Sequence, residues 1–137
     1  MGNVIHLEQT ADMRLRIEGS SLNDLFTTLS LELAREITVP PVHNSPHSTI
    51  TFVVEGSDEE KAVQLAGELL YLLQVRGSLA QNVEVVPGIG SWQVVAEVIP
   101  HGGLSGEIKA ATYNDIRFQQ SEGRVFLEMT LDRKSVV

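Results

Sequence analysis

Asp12 and Asp132 are the carboxylates best placed to do chemistry in this sequence. Asp12 opens an alternating stretch, Met13–Ile17, in which Met13, Leu15 and Ile17 interleave with Arg14, Arg16 and Glu18. Period-two counting puts Asp12 on the Arg14/Arg16 face, away from the apolar positions. Asp132 closes the last alternating stretch, on the Glu128/Thr130 face. Two acids at strand ends can converge on a polar, loop-lined site; the plain alternative is two solvated carboxylates. Lys109 shares parity with Ala111 and Tyr113, so one strand face carries an ammonium group, or a stem that lies along the sheet with its head in water.

Other groupings read as structural. His43 and His47 stand four apart, a metal-ligand spacing on a helix, but Pro40, Pro41 and Pro46 make the segment a loop. His101-Gly102-Gly103-Leu104-Ser105-Gly106 is Gly-rich, yet it leads into Glu107-Ile108-Lys109 and a strand. A phosphate cradle needs a Gly-rich turn that opens a helix, so a connector is expected. No Ser-His-Asp grouping has a spacing that carries weight, because such triads are set by geometry. The chain has no cysteine, which excludes disulfides, Cys-ligated zinc and a thiol nucleophile.

Composition narrows the classes. With 137 residues the chain is expected to be a single domain over 1–137. Hydrophobic residues at 42% and charged residues at 20% fit a globular protein, not a disordered one. Aromatic residues are 5%, so the core must be aliphatic. Ten Lys+Arg against 18 Asp+Glu give a formal charge of −8, which argues against direct nucleic-acid binding and fits a partner with a basic surface or a metal. No apolar run approaches the ~20 residues of a membrane span, and no charged-then-apolar leader opens the chain. Met1-Gly2 lacks Ser or Thr at position six, where His6 stands, so a myristoyl anchor is not expected. The expected location is cytoplasmic.

Two helices and a set of strands must position these groups. Leu22, Leu25, Phe26, Leu29, Leu33 and Ile37 recur at spacings of three and four and predict a helix from about Ser21 to Ile37, started by Gly19-Ser20-Ser21 and stopped by Pro40-Pro41. A second helix is predicted over Asp58 to Arg76, with a Ser57/Glu60 capping box and Gly77 as the C′ residue. Its inward positions are Val63, Ala66, Leu69, Leu70 and Leu73, widened by Leu65 and Leu72. Strands are predicted at Met13–Ile17, Thr49–Glu55, Val83–Val86, Ser91–Ile99 and around Val125–Leu131, with Ile108–Gln120 as one bent strand or two. Regular β-α-β alternation is missing from the second half. The fold class is therefore α+β, with two helices packed on one face of a mixed or antiparallel sheet.

Several stretches resemble the archease family. Gln9-Thr10-Ala11-Asp12 is similar to that family's His-Thr-Ala-Asp signature, and Ser21-Leu22-Asn23-Asp24-Leu25-Phe26 to its first-helix opening. Glu68-Leu69-Leu70-Tyr71-Leu72-Leu73 resembles its second helix. Glu107-Ile108-Lys109-Ala110-Ala111-Thr112-Tyr113 is the most specific stretch, and Asp132 matches the Asp on the family's last strand. The resemblance implies an α+β fold with an inserted strand-helix-strand-strand module. It also implies a non-enzyme: a protein cofactor of the GTP-dependent RNA-splicing ligase, which promotes that ligase's guanylylation and turnover in tRNA splicing, tRNA processing and RNA repair.

By the same resemblance Asp12 and Asp132 are metal ligands, for calcium above other divalent cations, and Lys109 is the positive group beside them. Three positions depart from the family pattern. The signature His is Gln9, the His after Thr-Tyr is Asn114, and the Asp after the first helix falls on Val39. Calcium takes six to eight oxygens, so two carboxylates need carbonyls, amides and water, and Gln9 and Asn114 could each lend a neutral oxygen at the site of activation or partner contact. The departures also leave open a binding or structural module that has lost ligase activation. A small metal-dependent hydrolase is a third class, against which stands the lack of a base or nucleophile constellation.

Overall fold

A computed structural model describes residues 2–6, 12–40, 45–104 and 108–135, with backbone alone at 6, 12, 108–112 and 133–135. The chain runs β1 (Asn3–His6), β2 (Asp12–Gly19), α1 (Leu22–Ile37), β3 (Ser48–Glu55), α2 (Asp58–Gln74), β4 (Ser78–Pro87), β5 (Ser91–Pro100), β6 (Ile108–Ser121) and β7 (Arg124–Ser135). The fold is α+β, and its strands divide between two sheets. One has the order β1-β2-β7-β6 and the other β3-β5-β4, with every neighbouring pair antiparallel. The second sheet and α2 form the strand-helix-strand-strand module between α1 and β6 that the resemblance implied.

Local chemistry sets the helix starts. Ser21 caps α1 by accepting the Asp24 N–H at 3.1 Å, and the Asp24 carboxylate takes the Ser20 N–H at 3.0 Å. The capping box of α2 is complete: Ser57 Oγ accepts the Glu60 N–H, and Glu60 accepts the Ser57 N–H at 2.9 Å. The Ser57 backbone N–H, and then its hydroxyl, hold the Glu60 carboxyl below the usual glutamate range. α2 ends two residues before Arg76, so Val75 is the C-cap. Gly77, at φ +62°, stands one residue beyond the C′ position expected for it.

One apolar cluster runs through both sheets and both helices. Leu25, Phe26, Leu29, Leu33 and Ile37 bury the face of α1 that their spacing predicts. In α2 Ala62 is buried, while Val63, expected inward, is half-buried. Trp92 of β5 packs edge-to-face on Phe26 of α1 at 6.0 Å and on Phe118 of β6 at 5.8 Å, which ties the two sheets together. Lys61 is 5% exposed, with its Nζ 3.1 Å from Asp58 and 5.0 Å from the Trp92 ring centre.

The free edge of β4 is closed by α1. Asn23 Oδ1 accepts the Val85 N–H at 2.7 Å, Thr27 Oγ1 accepts the Val83 N–H at 2.9 Å and donates to its carbonyl, and Ser30 Oγ donates to the Ala80 carbonyl at 2.7 Å. Spacings of four and three put these side chains on one helical face. The Gly-rich connector has a structural part as well. His101 Nε2 donates to the Leu73 carbonyl at 2.6 Å, and its Nδ1 accepts the Gly103 N–H at 2.9 Å, which selects the Nε2–H form of a neutral ring. No helix among the described residues is long and apolar enough to cross a membrane.

Candidate functional site

The antiparallel ladders of β2, β7 and β6 bring the two acidic positions together. Residues on β2 and β7 pair from Gly19↔Val125 to Asp12↔Asp132, so the two aspartates are direct cross-strand partners on one rung. On the other side of β7, Asp132 faces Thr112 of β6. Asp132 therefore sits between Asp12 and Thr112 on adjacent strands. Leu131, Met129 and Leu127 point to the core, which leaves Asp132 on the opposite, outer face, half-buried.

Asp132 does not close its own strand, as the alternation alone implied. β7 continues to Ser135 because β6 extends to Ile108 and supplies partners beyond the point where β2 begins. Among the described residues the β2–β7 ladder runs as far as Asp132, and β7 runs on beyond it. β6 is one continuous strand with two register shifts, between Ile108 and Ala110 and between Asn114 and Arg117, the second with Asp115 at φ 52°. Lys109 is the extra residue of the first shift. Strict alternation with Ala111 and Tyr113, assumed from the sequence, is interrupted at that residue.

Asn114 is the residue that the fold adds most clearly. It lies two positions from Thr112 on the face that carries Asp132, and its Nδ2 donates to Asp132 Oδ2 at 2.8 Å. A neutral donor on a carboxylate orients the acid without cancelling its charge. Val39, where the resemblance expects an Asp, is an exposed residue after α1. Its N–H donates to the Gly103 carbonyl at 2.7 Å and its carbonyl accepts the Gly102 N–H at 3.0 Å. Gln9 lies outside the described residues, as do 105–107 and 41–44, His43 among them. His47 is exposed, with Nδ1 2.7 Å from Glu97 Oε1.

Next to the acids, the same outer face holds a polar network that motif and spacing did not single out. Arg16 bonds Glu128 through Nη1 and Glu18 through Nε, both at 3.1 Å, and its guanidinium lies 4.7 Å from the Phe126 ring centre. Arg14 Nη2 is 3.8 Å from Glu128. Parity on β2 and β7 would have found it, since Arg16 and Glu128 are register partners.

The donor chemistry of the site fits a hard divalent cation: carboxylates at Asp12 and Asp132, an amide at Asn114, and no sulfur. Among the described residues no group of three or more His, Cys, Asp or Glu side chains is placed to hold a metal, and the Asp12 side chain is not among them.

Comparison with known proteins extends the sequence resemblance. The family model described as the Archease protein family (MTH1598/TM1083) matches residues 5–132. Protein 1598 of Methanobacterium thermoautotrophicum, solved in solution, is similar in structure with a TM-score of 0.68 at 16% identity, over 94% of this chain and 97% of that one. A Thermotoga maritima protein described as an archease and possible chaperone has a TM-score of 0.59 at 17% identity, over 92% of this chain and 94% of that one. No curated protein matches the chain significantly in sequence.

Proposed function

The chain belongs to the archease family, and on that premise we propose that it is an accessory protein that activates a GTP-dependent RNA-splicing ligase. It promotes guanylylation of that enzyme and its multiple turnover in tRNA splicing and RNA repair, without catalysing ligation itself. It works in the cytoplasm and does not bind the RNA on its own, since its charge of −8 disfavours a phosphate backbone.

The observation that carries this reading is the pairing of Asp12 with Asp132 on one rung of the β2–β7 ladder, with Asn114 bonded to Asp132. An acidic rung of this kind complements a basic ligase cleft built for phosphates, and complementary charge speeds encounter and fixes orientation. Asp12 and Asp132 would hold calcium, with Asn114 and Gln9 as neutral oxygen sources and water completing the shell. A cation held there would supply positive charge that can neutralise a phosphate. Lys109, three residues before Thr112 on β6, contributes an ammonium group toward a phosphate or a ligase carboxylate. Asn114 restrains Asp132, and the stiff ladder beneath restrains both acids, so the gain comes from positioning.

Ligation by the cognate ligase under multiple-turnover conditions tests the proposal directly. Stimulation that depends on Asp12 and Asp132 supports it, and no stimulation with any divalent cation ends it. Val39 favours a second reading, a binding module that has lost activation: an exposed valine whose backbone pairs with Gly102 and Gly103 replaces an acid of the family pattern. That reading predicts a stable complex with a partner and no change in ligation rate.

A further inference from the structure

The two edges of the three-stranded sheet are treated differently. On the β4 side, Asn23, Thr27 and Ser30 occupy the outward backbone groups of Val85, Val83 and Ala80. On the β3 side, among the described residues, one side chain does this work, at one end. Gln64 of α2 accepts the Glu55 N–H at 3.1 Å and donates to the Glu55 carbonyl at 2.6 Å. An amide side chain bonded in that way stands in for one residue of a neighbouring strand.

This contact fixes which way the rest of β3 points. Gly56 donates to Gly90 on the β5 side, so the even positions bond to β5 and the odd ones turn outward. Thr49, Thr51 and Val53 thus offer their N–H and carbonyl groups away from the sheet, and no strand of the described residues pairs with that side. All three residues are exposed. Exposed edges are ordinarily guarded by Lys, Pro or a bulge, and Ser48–Val54 has none of these. Beside Phe52–Val54 lies a cavity of about 380 Å³ that Gln64, Gly67, Glu68 and Tyr113 also line.

We propose that the free edge of β3 is a strand-addition site for an extended, basic segment of a partner protein, pairing with Thr49, Thr51 and Val53 and stopped by Gln64. Main-chain bonds to the edge provide affinity, and alternate side chains of the guest enter the cavity beside Phe52 and Tyr113. The other alternate side chains lie over the outer face of the sheet. The outward positions of β3, β4 and β5 there include Glu55, Glu84 and Glu97 and no Lys or Arg, which is the reason for a basic guest. The same charge disfavours a second copy of this acidic chain. The inference does not rest on the ligase reading, because it uses the edge of β3 and neither Asp12 nor Asp132.

The test uses the full chain and a short capped peptide alternating valine with lysine, followed by amide hydrogen exchange and NMR shifts. Binding should slow exchange at Thr49, Thr51 and Val53 at least tenfold, and a valine–glutamate peptide should give no effect. Thr51→Pro removes an outward N–H without touching the bonds to β5, and Val53→Lys adds an edge charge that repels the guest. Each should weaken peptide binding at least tenfold with the thermal midpoint retained, and two substitutions guard against one that misfolds. No protection at Thr49–Val53, protection that both variants keep, or equal binding of the acidic peptide would overturn the proposal. So would concentration-dependent protection of the same amides without peptide, which would assign the edge to a second copy.

Discussion

Asp132 stands directly across the β2–β7 ladder from Asp12 and accepts a 2.8 Å hydrogen bond from Asn114 on the neighbouring strand. Two like charges on one rung repel each other, so a cation bound between them would be favoured by both. That preference is the physical content of the proposed site.

Calcium should raise the thermal midpoint of the wild-type protein, since a ligand that binds only the folded state stabilises it by mass action. Asp132→Asn and Asp12→Asn should each remove most of that rise. Without calcium the same variants should be neutral or slightly more stable, by up to about 1 kcal/mol, because a repulsion between opposed charges is gone. Differential scanning fluorimetry with and without the cation checks both directions, and loss of ligase stimulation should accompany the loss of the calcium response.

Asn114→Ala should weaken calcium binding by about 10-fold or more, the range seen when a group that orients a metal ligand is lost. The stability cost should be small, about 0.5–1.5 kcal/mol for one hydrogen bond at an exposed site. Titration calorimetry on the variant separates the two effects.

Ser30→Ala should destabilise the fold by about 1–3 kcal/mol, because it leaves the Ala80 carbonyl without its partner in a place where Ser30 is 1% exposed. Asn23→Ala should speed amide exchange at Val85, whose N–H bonds to the Asn23 side chain. Chemical denaturation and hydrogen exchange measure these.

Lys61→Ala should cost more stability than Lys61→Met. The aliphatic stem is buried and the ammonium group reaches both Asp58 and the Trp92 ring, so methionine restores the packing and alanine does not. A difference of about 1–2 kcal/mol between the two is expected from the methylenes alone. Equal midpoints in denaturant would assign the stabilisation to charge instead of packing.

Glu60 should titrate below the ordinary glutamate value in an NMR pH series, and Ser57→Ala should bring it partly back toward that value. Its folded pKa is depressed, so the contribution of its charge to stability is present above the unfolded glutamate pKa. That contribution is lost as pH falls through the lower folded value. The capping box should therefore weaken only in acid, below about pH 4.5.

The sequence by itself determined the elements and several of their details. The apolar stripe of α1, its Ser21 cap and the Ser57/Glu60 box are short-range features, written in spacings of three and four. Alternation along β2 and β7 assigned faces correctly because both strands bury one side, which makes slippage costly. The family motifs carried the fold, including the inserted module.

Long-range pairing was decided only in the tertiary structure. Nothing local says that Asp12 and Asp132, 120 positions apart, share a rung, because register depends on which strands become neighbours. The shift at Lys109 and the extension of β7 to Ser135 come from how β6 and β7 fit each other. The closed edge at β4 and the open edge at β3 depend on where α1 and α2 dock against the sheet. Periodicity reports which side of an element is buried, while the identity of the neighbour is set by packing the whole chain at once.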